Sequence, residues 1–218
     1  MHIRPAALAC LAILFASQIS AQSPDLPNKT GFYIAGAGHY STLDGNFDGQ
    51  TLFYTSAEAI IVPKLEPGFG AGGVLGYRGS MWALEATGYY KPHTSSFAGT
   101  HYDTAITGFT FDFELLFFTA GPVQPYLTAG LGFSTITVAG GSINSSSVVG
   151  DAVYYSGGFR AGLGIELCVT NRLFIRAQGI YRIDKVDSAK GVNGDELTLP
   201  FALDAYGYDA SVIIGYVF

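Results

Sequence analysis

The chain has 218 residues, of which 49% are apolar and only 13% are charged, and its formal net charge is −6 at pH 7. No basic stripe is present to neutralise phosphates, which excludes nucleic acid as a partner. After residue 21 no apolar run approaches the roughly 18 residues of a membrane-spanning helix, which excludes helical spans.

The first 21 residues have the three parts of a secretory signal peptide. A basic residue near the start precedes an apolar run at 6–16, and small residues follow it up to Ala21. We therefore expect a signal peptide at 1–21, cleaved near Ala21, and one domain at 22–218. Cys10 raises the alternative of a lipoprotein anchor, but the apolar stretch before it is very short. The mature chain would keep a single cysteine, so no internal disulfide and no thiolate metal cluster are expected.

Eight segments of the remaining chain alternate apolar residues with polar residues or glycine, which is the period of a β-strand. Each is long enough to cross a bilayer, for which a tilted strand needs roughly 10 residues. They are residues 30–40, 68–78, 81–91, 107–118, 125–138, 154–168, 172–183 and 205–218. The pattern predicts an all-β fold, an eight-stranded antiparallel transmembrane β-barrel.

The two faces of the predicted strands differ in chemistry. On segment 107–118 one face carries the apolar residues from Phe109 to Phe117, and the other carries Thr110, Asp112 and Glu114. If the more apolar face of every segment points outward, no outward face holds a charge, which at mid-bilayer would cost about 2–4 kcal/mol. A soluble sandwich or lipocalin-like barrel also alternates, but its outer face carries abundant charge. Here the second face is sparse in charge and rich in glycine, which favours the membrane barrel.

The connections between the predicted strands are short and long in turn. Tight turns are expected at 78–81, 120–124 and 169–172. Long loops are expected at 41–67, 92–106, 139–153 and 184–204. Three short turns and four long loops are what eight strands require when both termini are periplasmic. The long loops are therefore expected to be extracellular, where such loops bind partners.

The chain finishes on alternating apolar residues that end with an aromatic one, namely Val212, Ile214, Tyr216 and Phe218. This ending, the first segment GFYIAGAGHYS, and the stretches PYLTAGLGF and TNRLFIRAQGIYRID resemble the small outer-membrane barrels of the OmpA, OmpX, opacity-protein and OmpW type. The resemblance implies an integral protein of the bacterial outer membrane, surrounded by lipid and by lipopolysaccharide or its equivalent. It also implies that the four terminal residues are the signal that the barrel assembly machinery recognises.

The lumen of an eight-stranded barrel is only wide enough to be filled by side chains. The charged residues expected to form a lumen network, with a structural or a gating role, are Glu85, Asp112, Glu114, Arg160, Glu166, Arg176 and Asp209. Arg78, Lys91 and Arg182 are expected nearer the rims. Because an unpaired buried charge is costly, we expect acids and bases to pair into a salt-bridged plug. The alternative, implied by the resemblance to OmpW, is a narrow or gated pore for small apolar solutes.

The first loop contains a partial calcium-binding motif. DGNFDG at 44–49 fits the start of an EF-hand loop, but Thr55 stands where that loop needs Glu. Asp, Asn and Gly also form ordinary turns, so neither a metal nor another cofactor is expected. The fourth loop is acidic, with Asp195 among its carboxylates, and the third is rich in Gly and Ser. We expect the loops to bind host or environmental ligands.

His93 and Ser95 have the spacing found in eight-stranded barrels that modify lipid A, and His101 is nearby. We expect these residues to lie in a loop, where no strand holds both side chains on one face, and no Asp or Glu is available to orient the histidine. Catalysis is therefore not expected. The sequence predicts a non-enzymatic outer-membrane barrel that acts in adhesion or another surface interaction, with a narrow channel and a lipid-modifying enzyme as the alternatives.

Overall fold

The computed structural model describes residues 30–53, 59–141, 151–190 and 196–218. These residues form twelve β-strands: β1 (Gly31–Ser41), β2 (Asp44–Gly45), β3 (Gln50–Phe53), β4 (Ala59–Val62), β5 (Lys64–Leu65), β6 (Gly68–Arg78), β7 (Trp82–Phe97), β8 (Thr100–Leu116), β9 (Val123–Val138), β10 (Ala152–Cys168), β11 (Leu173–Lys190) and β12 (Glu196–Val217). Within the same ranges there is no helix of the length and hydropathy needed to cross a membrane. The predicted signal peptide lies outside the described residues.

Eight of the twelve strands close into one ring. β1 pairs with β6, the strands from β6 to β12 pair in chain order, and β12 returns to pair with β1, every pair being antiparallel. The closing seam runs from Tyr33 opposite Val217 to Ser41 opposite Asp209. A closed ring leaves no unpaired strand edge. The predicted eight-stranded antiparallel barrel is confirmed.

The two ends of the barrel differ. Short turns follow β6, β8 and β10, close to where the sequence predicts them, and the start of β1 and the end of β12 lie beside them. We call this the turn end. The opposite end, which we call the loop end, carries the connections after β1, β7, β9 and β11. Consecutive strands therefore run in opposite directions, with short turns at one end and longer connections at the other, as in an up-and-down barrel.

The outward face near the turn end is apolar. Between that end and a ring of aromatic residues, the outward side chains are exposed and apolar, and none of those described is charged. The aromatic ring consists of Tyr40, Phe69, Tyr90, Phe109, Phe133, Phe159, Tyr181 and Tyr208. We call this zone the apolar band. Side chains as large as Phe111 and Ile214 are more than half exposed there (55% and 54%), so the band requires an apolar surrounding such as a bilayer.

Beyond the aromatic ring the strands continue, and their chemistry changes. We call this part the extension, and it comprises the described residues within 41–67, 92–108, 134–158 and 184–205. Its outward side chains are largely polar, as at Thr94, Thr137 and Asp204, and its inward side chains are largely apolar. The outer surface of the extension therefore suits water rather than lipid.

One predicted loop, 92–106, is a β-hairpin. β7 and β8 remain paired up to its tip, where Ala98 and Gly99 have positive φ angles of 50° and 81°. Positive φ at both central residues is what a two-residue turn needs to match the twist of its strands. The prediction of an irregular loop is wrong here, because Pro92 and the Ser and Thr residues after it weaken the strand pattern.

The last predicted loop, 184–204, is also mostly strand. β11 continues to Lys190 and β12 begins at Glu196, and the two pair with a register shift after Val186. The prediction fails because this bulge interrupts the alternation that marks a strand. Most of the third predicted loop lies outside the described residues, as do Asp195 and Thr55.

The first connection, 41–67, completes the wall of the extension. β1 ends at Ser41 and β6 begins at Gly68, so neither strand reaches far into the extension. In their place β2 pairs with β12 and β5 pairs with β7, while β3 and β4 form a separate hairpin. The connection predicted as a long loop therefore contributes two short strands, β2 and β5, to the barrel wall.

Candidate functional site

A network of buried charges occupies the lumen at the level of the apolar band, near the turn end. Arg176 lies at its centre, fully buried, and its guanidinium contacts Glu85, Glu114 and Glu166. The guanidinium nitrogens are 3.0 Å from Glu114 Oε2 and 2.7 Å from Glu166 Oε2. Because the carboxylates belong to β7, β8 and β10, one side chain of β11 ties three other strands together across the lumen.

Aromatic rings pack around the same guanidinium. Its carbon lies 4.6 Å from the ring centre of Phe174, 5.3 Å from that of Tyr33 and 5.5 Å from that of Tyr126. The Tyr33 hydroxyl donates to Glu85, and the Tyr126 hydroxyl donates to Gln178 at 2.9 Å. The rings favour the cation electrostatically and fill the space beside the ion pairs. This level of the lumen is therefore packed by side chains.

A second guanidinium extends the network to the turn end. Arg78, expected near the rim, is 1% exposed and bonds Glu166 and Gln124. Gln124 in turn donates to the carbonyls of Thr119 and Gly121, each at 3.0 Å. Arg78 ends β6 at the turn end, and its side chain points inward and is long enough to reach the carboxylate of Glu166. The network is thus anchored to the turn that joins β8 to β9.

Three further ion pairs lie inward, on the side of this network that faces the loop end. They join Arg160 Nε to Asp112 Oδ1 at 3.0 Å, Lys91 Nζ to Asp209 Oδ2 at 2.9 Å, and Arg182 to Asp184 at 3.7 Å. Lys91 and Arg182, expected near the rims, are buried. Asp184, expected in an acidic loop, is buried on the inward face of β11. The first two pairs join strands that are not neighbours in the ring, so they cross the lumen.

All seven predicted lumen residues point inward, and each takes part in an ion pair. Glu85, Glu114, Glu166 and Arg176 form the network, whereas Arg160 and Asp209 pair with Asp112 and Lys91. The sequence reasoning missed the uncharged partners, Tyr33, Tyr126 and Gln124. Their signal was available, because each has the same alternation as the inward charges on its neighbouring strands. Polar residues whose position in the strand alternation turns them inward belong to the candidate site, whether or not they are charged.

An apolar cluster fills the interior of the extension. Its buried members are Leu43, Phe47, Val62, Leu65, Tyr89, Ile106, Ile136, Val138, Ala152, Tyr154, Val186, Ala189, Leu199, Leu203 and Ala205. The first four come from the connection 41–67. Phe47 packs edge-on against Tyr154 with 5.7 Å between ring centres, and the Tyr154 hydroxyl donates to the Ile61 carbonyl at 2.7 Å. Burial raises the pKa of this phenol, so it stays a hydrogen-bond donor.

The segment 44–49, which fits the start of a calcium loop, forms β2 and a turn. The Asn46 N–H donates to the Asp204 carbonyl at 2.8 Å, and the Asp204 N–H donates to Asn46 Oδ1 at 2.7 Å. Asp48 is exposed and lies 3.8 Å from Lys64. Across the described ranges, no three His, Cys, Asp or Glu side chains form a group that could hold a metal ion. Asn46 therefore acts as a tether between the first connection and β12.

His93 and Ser95 lie on one strand, contrary to expectation. Both belong to β7, point inward and are buried. Ser95 Oγ is 2.7 Å from Thr104 Oγ1, whereas His93 Nε2 is 3.0 Å from Ser41 Oγ and its Nδ1 is 2.8 Å from the Glu66 carbonyl oxygen. The prediction is wrong because β7 continues beyond its expected end. The histidine is held by a hydroxyl and a backbone carbonyl, and Ser41 is fully buried.

The four terminal residues that resemble an assembly signal lie on the outside of the seam. Val212, Ile214, Tyr216 and Phe218 all point outward and are exposed. The Phe218 N–H donates to the Phe32 carbonyl at 2.9 Å, which fastens the end of the chain to β1. These four outward residues therefore belong to the strand that closes the ring.

Comparison with known families agrees with this geometry. The family described as outer membrane protein beta-barrel domain matches residues 6–204. The chain belongs to this family. It is therefore an integral protein of the bacterial outer membrane, and its apolar band faces lipid. In that membrane the turn end is periplasmic and the loop end is extracellular.

Solved structures of outer-membrane proteins share the fold. Neisserial surface protein A superposes with a TM-score of 0.55 at 18% identity, covering 88% of this chain and 100% of that one. OprG from Pseudomonas aeruginosa superposes with a TM-score of 0.55 at 14% identity, covering 88% and 98%. AlkL, solved in DMPC lipid bilayers, superposes with a TM-score of 0.54 at 11% identity, covering 90% and 94%. At these identities the likeness shows the fold alone. No curated protein sequence matches the chain.

Proposed function

We propose that this protein is a closed, non-enzymatic barrel whose extension is a binding surface on the outside of the cell, in adhesion or another surface interaction. The observation that carries the proposal is that the lumen is filled at two levels. The charge network around Arg176 fills the band, and the apolar cluster fills the extension. A lumen filled twice over supports a role at the surface rather than in transport.

The extension supports this role because it is an ordered platform. Paired strands carry its outward side chains well beyond the aromatic ring, through the segments 41–67, 92–106, 139–153 and 184–204 where they are described. Binding residues on a rigid scaffold lose little conformational entropy when a partner docks. Exposed outward carboxylates include Asp103 and Asp187, and also Asp204, which lies 3.3 Å from Lys185. They favour a neutral or basic partner over a polyanion.

The route to the membrane is part of the proposal. Cleavage of the signal peptide near Ala21 would release residues 22–218 into the periplasm. The barrel assembly machinery would then recognise the outward residues that end with Tyr216 and Phe218. Once inserted, the aromatic ring would lie at the level of the lipopolysaccharide headgroups, where amphipathic rings are favoured.

The alternative is a narrow channel for small apolar solutes. The apolar lining of the extension favours it, because such solutes would enter that interior readily. The packing of the lining opposes it, since the cavity beside Tyr102 and Tyr154 holds only about 40 Å³. A solute that passed this level would next meet the buried ion pairs. An enzyme is opposed by the full burial of Ser41, the hydroxyl that His93 contacts.

Vesicles that carry the refolded protein test the surface role. They would be applied to immobilised fibronectin, laminin and collagen, beside protein-free vesicles. We expect saturable binding to at least one of these matrix proteins, because a built surface should recognise a specific partner. Thr94→Lys combined with Asp103→Lys, on the outward face of the hairpin, should abolish it. The matched change Asn171→Lys, exposed at the turn end, should not. Binding no greater than that of protein-free vesicles, or binding equal in both variants, would contradict the proposal.

A further inference from the structure

The junction between the band and the extension lies beside His93. Ser41 ends β1 opposite Gly68, the first residue of β6, and β5 pairs with β7 just beyond. Gly68 has no side chain, and a Cβ there would lie 2.7 Å from His93 Nδ1. The imidazole therefore occupies space that any other residue at 68 would fill. His93 sits where the wall changes from β1 and β6 to the first connection.

The hydrogen bonds of His93 define its neutral form. A carbonyl oxygen can only accept, so the contact from Nδ1 to the Glu66 carbonyl at 2.8 Å places the proton on Nδ1. Nε2 then accepts from the Ser41 hydroxyl at 3.0 Å. The Glu66 N–H also donates to the Thr94 carbonyl at 2.8 Å. One imidazole thus joins β1, the first connection and β7.

A second proton on the imidazole would disrupt this joint. It would turn Nε2 from an acceptor into a donor and would place a cation in a buried site. The charged groups that face His93 are Lys91 of β7, Arg182 of β11 and Asp209 of β12, and Asp209 is already paired with Lys91 at 2.9 Å. Burial lowers the pKa of His93, and Lys91 and Arg182 lower it further. The hydrogen bond to the Glu66 carbonyl and the charge of Asp209 raise it, but the net shift is downward. Folding therefore favours the neutral ring.

We propose that His93 is an acid-sensitive joint, whose protonation detaches the connection 41–67 from the barrel wall and opens the extracellular half of the lumen. Acid should destabilise the closed state, because the open state binds the proton more tightly. Because the pKa of His93 is lower in the closed state than in the open one, the closed state is fully stable above about pH 6.5 and loses stability as the pH falls below it. The charge network near the turn end has no part in the joint, so the band stays folded.

Thiol labelling of the refolded mature barrel (residues 22–218), in lipid nanodiscs, tests the joint. Leu65→Cys places a thiol on β5, at a position that is 4% exposed, and the native Cys168, buried near the turn end, is an internal reference. A dipyridyl disulfide reagent labels both thiols, mass spectrometry reads each site, and rates are divided by those of a free thiol at the same pH. Below about pH 6.5 we expect labelling at 65 to rise about tenfold per pH unit, while Cys168 stays slow.

Two histidine variants complete the test. His93→Gln keeps a donor and an acceptor but cannot titrate, so labelling at 65 should become independent of pH. His39→Gln changes another buried histidine, on β1, and should keep the acid dependence. The proposal is overturned if labelling at 65 does not rise in acid, if it still rises in H93Q, or if Cys168 labels in parallel. Should L65C fail to refold, Val62→Cys on β4 is the second reporter.

Discussion

The apolar band and the extension are built from the same strands, yet they bury opposite chemistry. Along β8 the band buries Asp112 and Glu114 and exposes Phe111, whereas the extension buries Ile106 and exposes Asp103. The backbone pairing runs through both zones. What changes is the medium outside, lipid in one zone and water in the other. The comparison shows that the medium, rather than the strand, decides which chemistry a barrel wall encloses.

The two interiors are stabilised in different ways. In the band the inward charged groups are buried or nearly buried, so each carboxylate needs a cation and each cation a carboxylate. In the extension, burial of apolar side chains supplies the driving force, as in a soluble barrel, at roughly 1.5–3 kcal/mol for each large side chain. Changes in the two zones should therefore have effects of different kind and extent.

Replacing Arg176 by Met should be the most damaging change, because it leaves three carboxylates around an uncharged side chain. Breaking a buried ion pair costs about 3–5 kcal/mol. Arg160→Met is the matched variant, since it removes one pair at a side chain that is 11% exposed, and it should cost less. Urea unfolding of the refolded protein in detergent micelles measures both free energies. Equal losses would show that the three carboxylate contacts of Arg176 stabilise the barrel no more than the single pair of Arg160.

Replacing Phe47 by Ala should release the first connection without unfolding the band. Truncation of a buried Phe costs about 3–5 kcal/mol, and here the loss falls on the free energy that holds 41–67 in the wall. Hydrogen exchange of the extension should accelerate, while amides of β1 and β12 at the seam stay protected. Faster exchange throughout the seam would mean that the two zones unfold as one unit.

Lysine substitutions at two positions of β9 should differ in their cost to stability, because one outward face meets lipid and the other meets water. Leu131→Lys places a charge on the lipid face of the band and should cost about 2–4 kcal/mol, whereas Thr137→Lys on the outward face of the extension should cost close to zero. Unfolding free energies in lipid bilayers measure the difference. Similar costs at the two positions would place the extension inside the membrane.

Removing one hydroxyl should have the smallest measurable effect. Tyr154→Phe loses the bond to the Ile61 carbonyl and should destabilise the first connection by about 1 kcal/mol. Tyr155→Phe, on the outward face of the same strand, is the control and should be neutral. Protease cleavage rates within 41–67 provide the readout. An equal rate in both variants would show that the bond does not hold the connection.

The sequence predicted the barrel because period-two alternation is clear in all eight strands where they cross the apolar band. It also predicted which charges point inward, since parity alone decides that. It did not predict the partners of Arg176, because Glu85 and Glu114 approach it only through the closure and stagger of the ring. The alternation along a strand decides which face a residue lies on. The closure and stagger of the ring decide which inward residues come into contact.

The extension was the part that sequence reasoning described least well. Pro92 and the bulge after Val186 hide strands that tertiary pairing nevertheless extends. The buried residues Phe47 and Val62 have no regular spacing, because β2 to β5 are too short to show a period. Their place in the wall depends on where β1 ends, which is a property of the folded ring.

The central claim is that the lumen is closed at two levels, and planar-bilayer conductance tests it most directly. The folded protein should show no discrete openings. A variant in which residues 46–63 are replaced by a short Gly-Ser linker removes most of the first connection, including Phe47 and Val62 of the apolar cluster, and should also stay silent, because the network around Arg176 remains. Reproducible openings in the unmodified protein would contradict the closed lumen and favour the channel. Openings in the linker variant alone would show that the charge network does not seal the barrel.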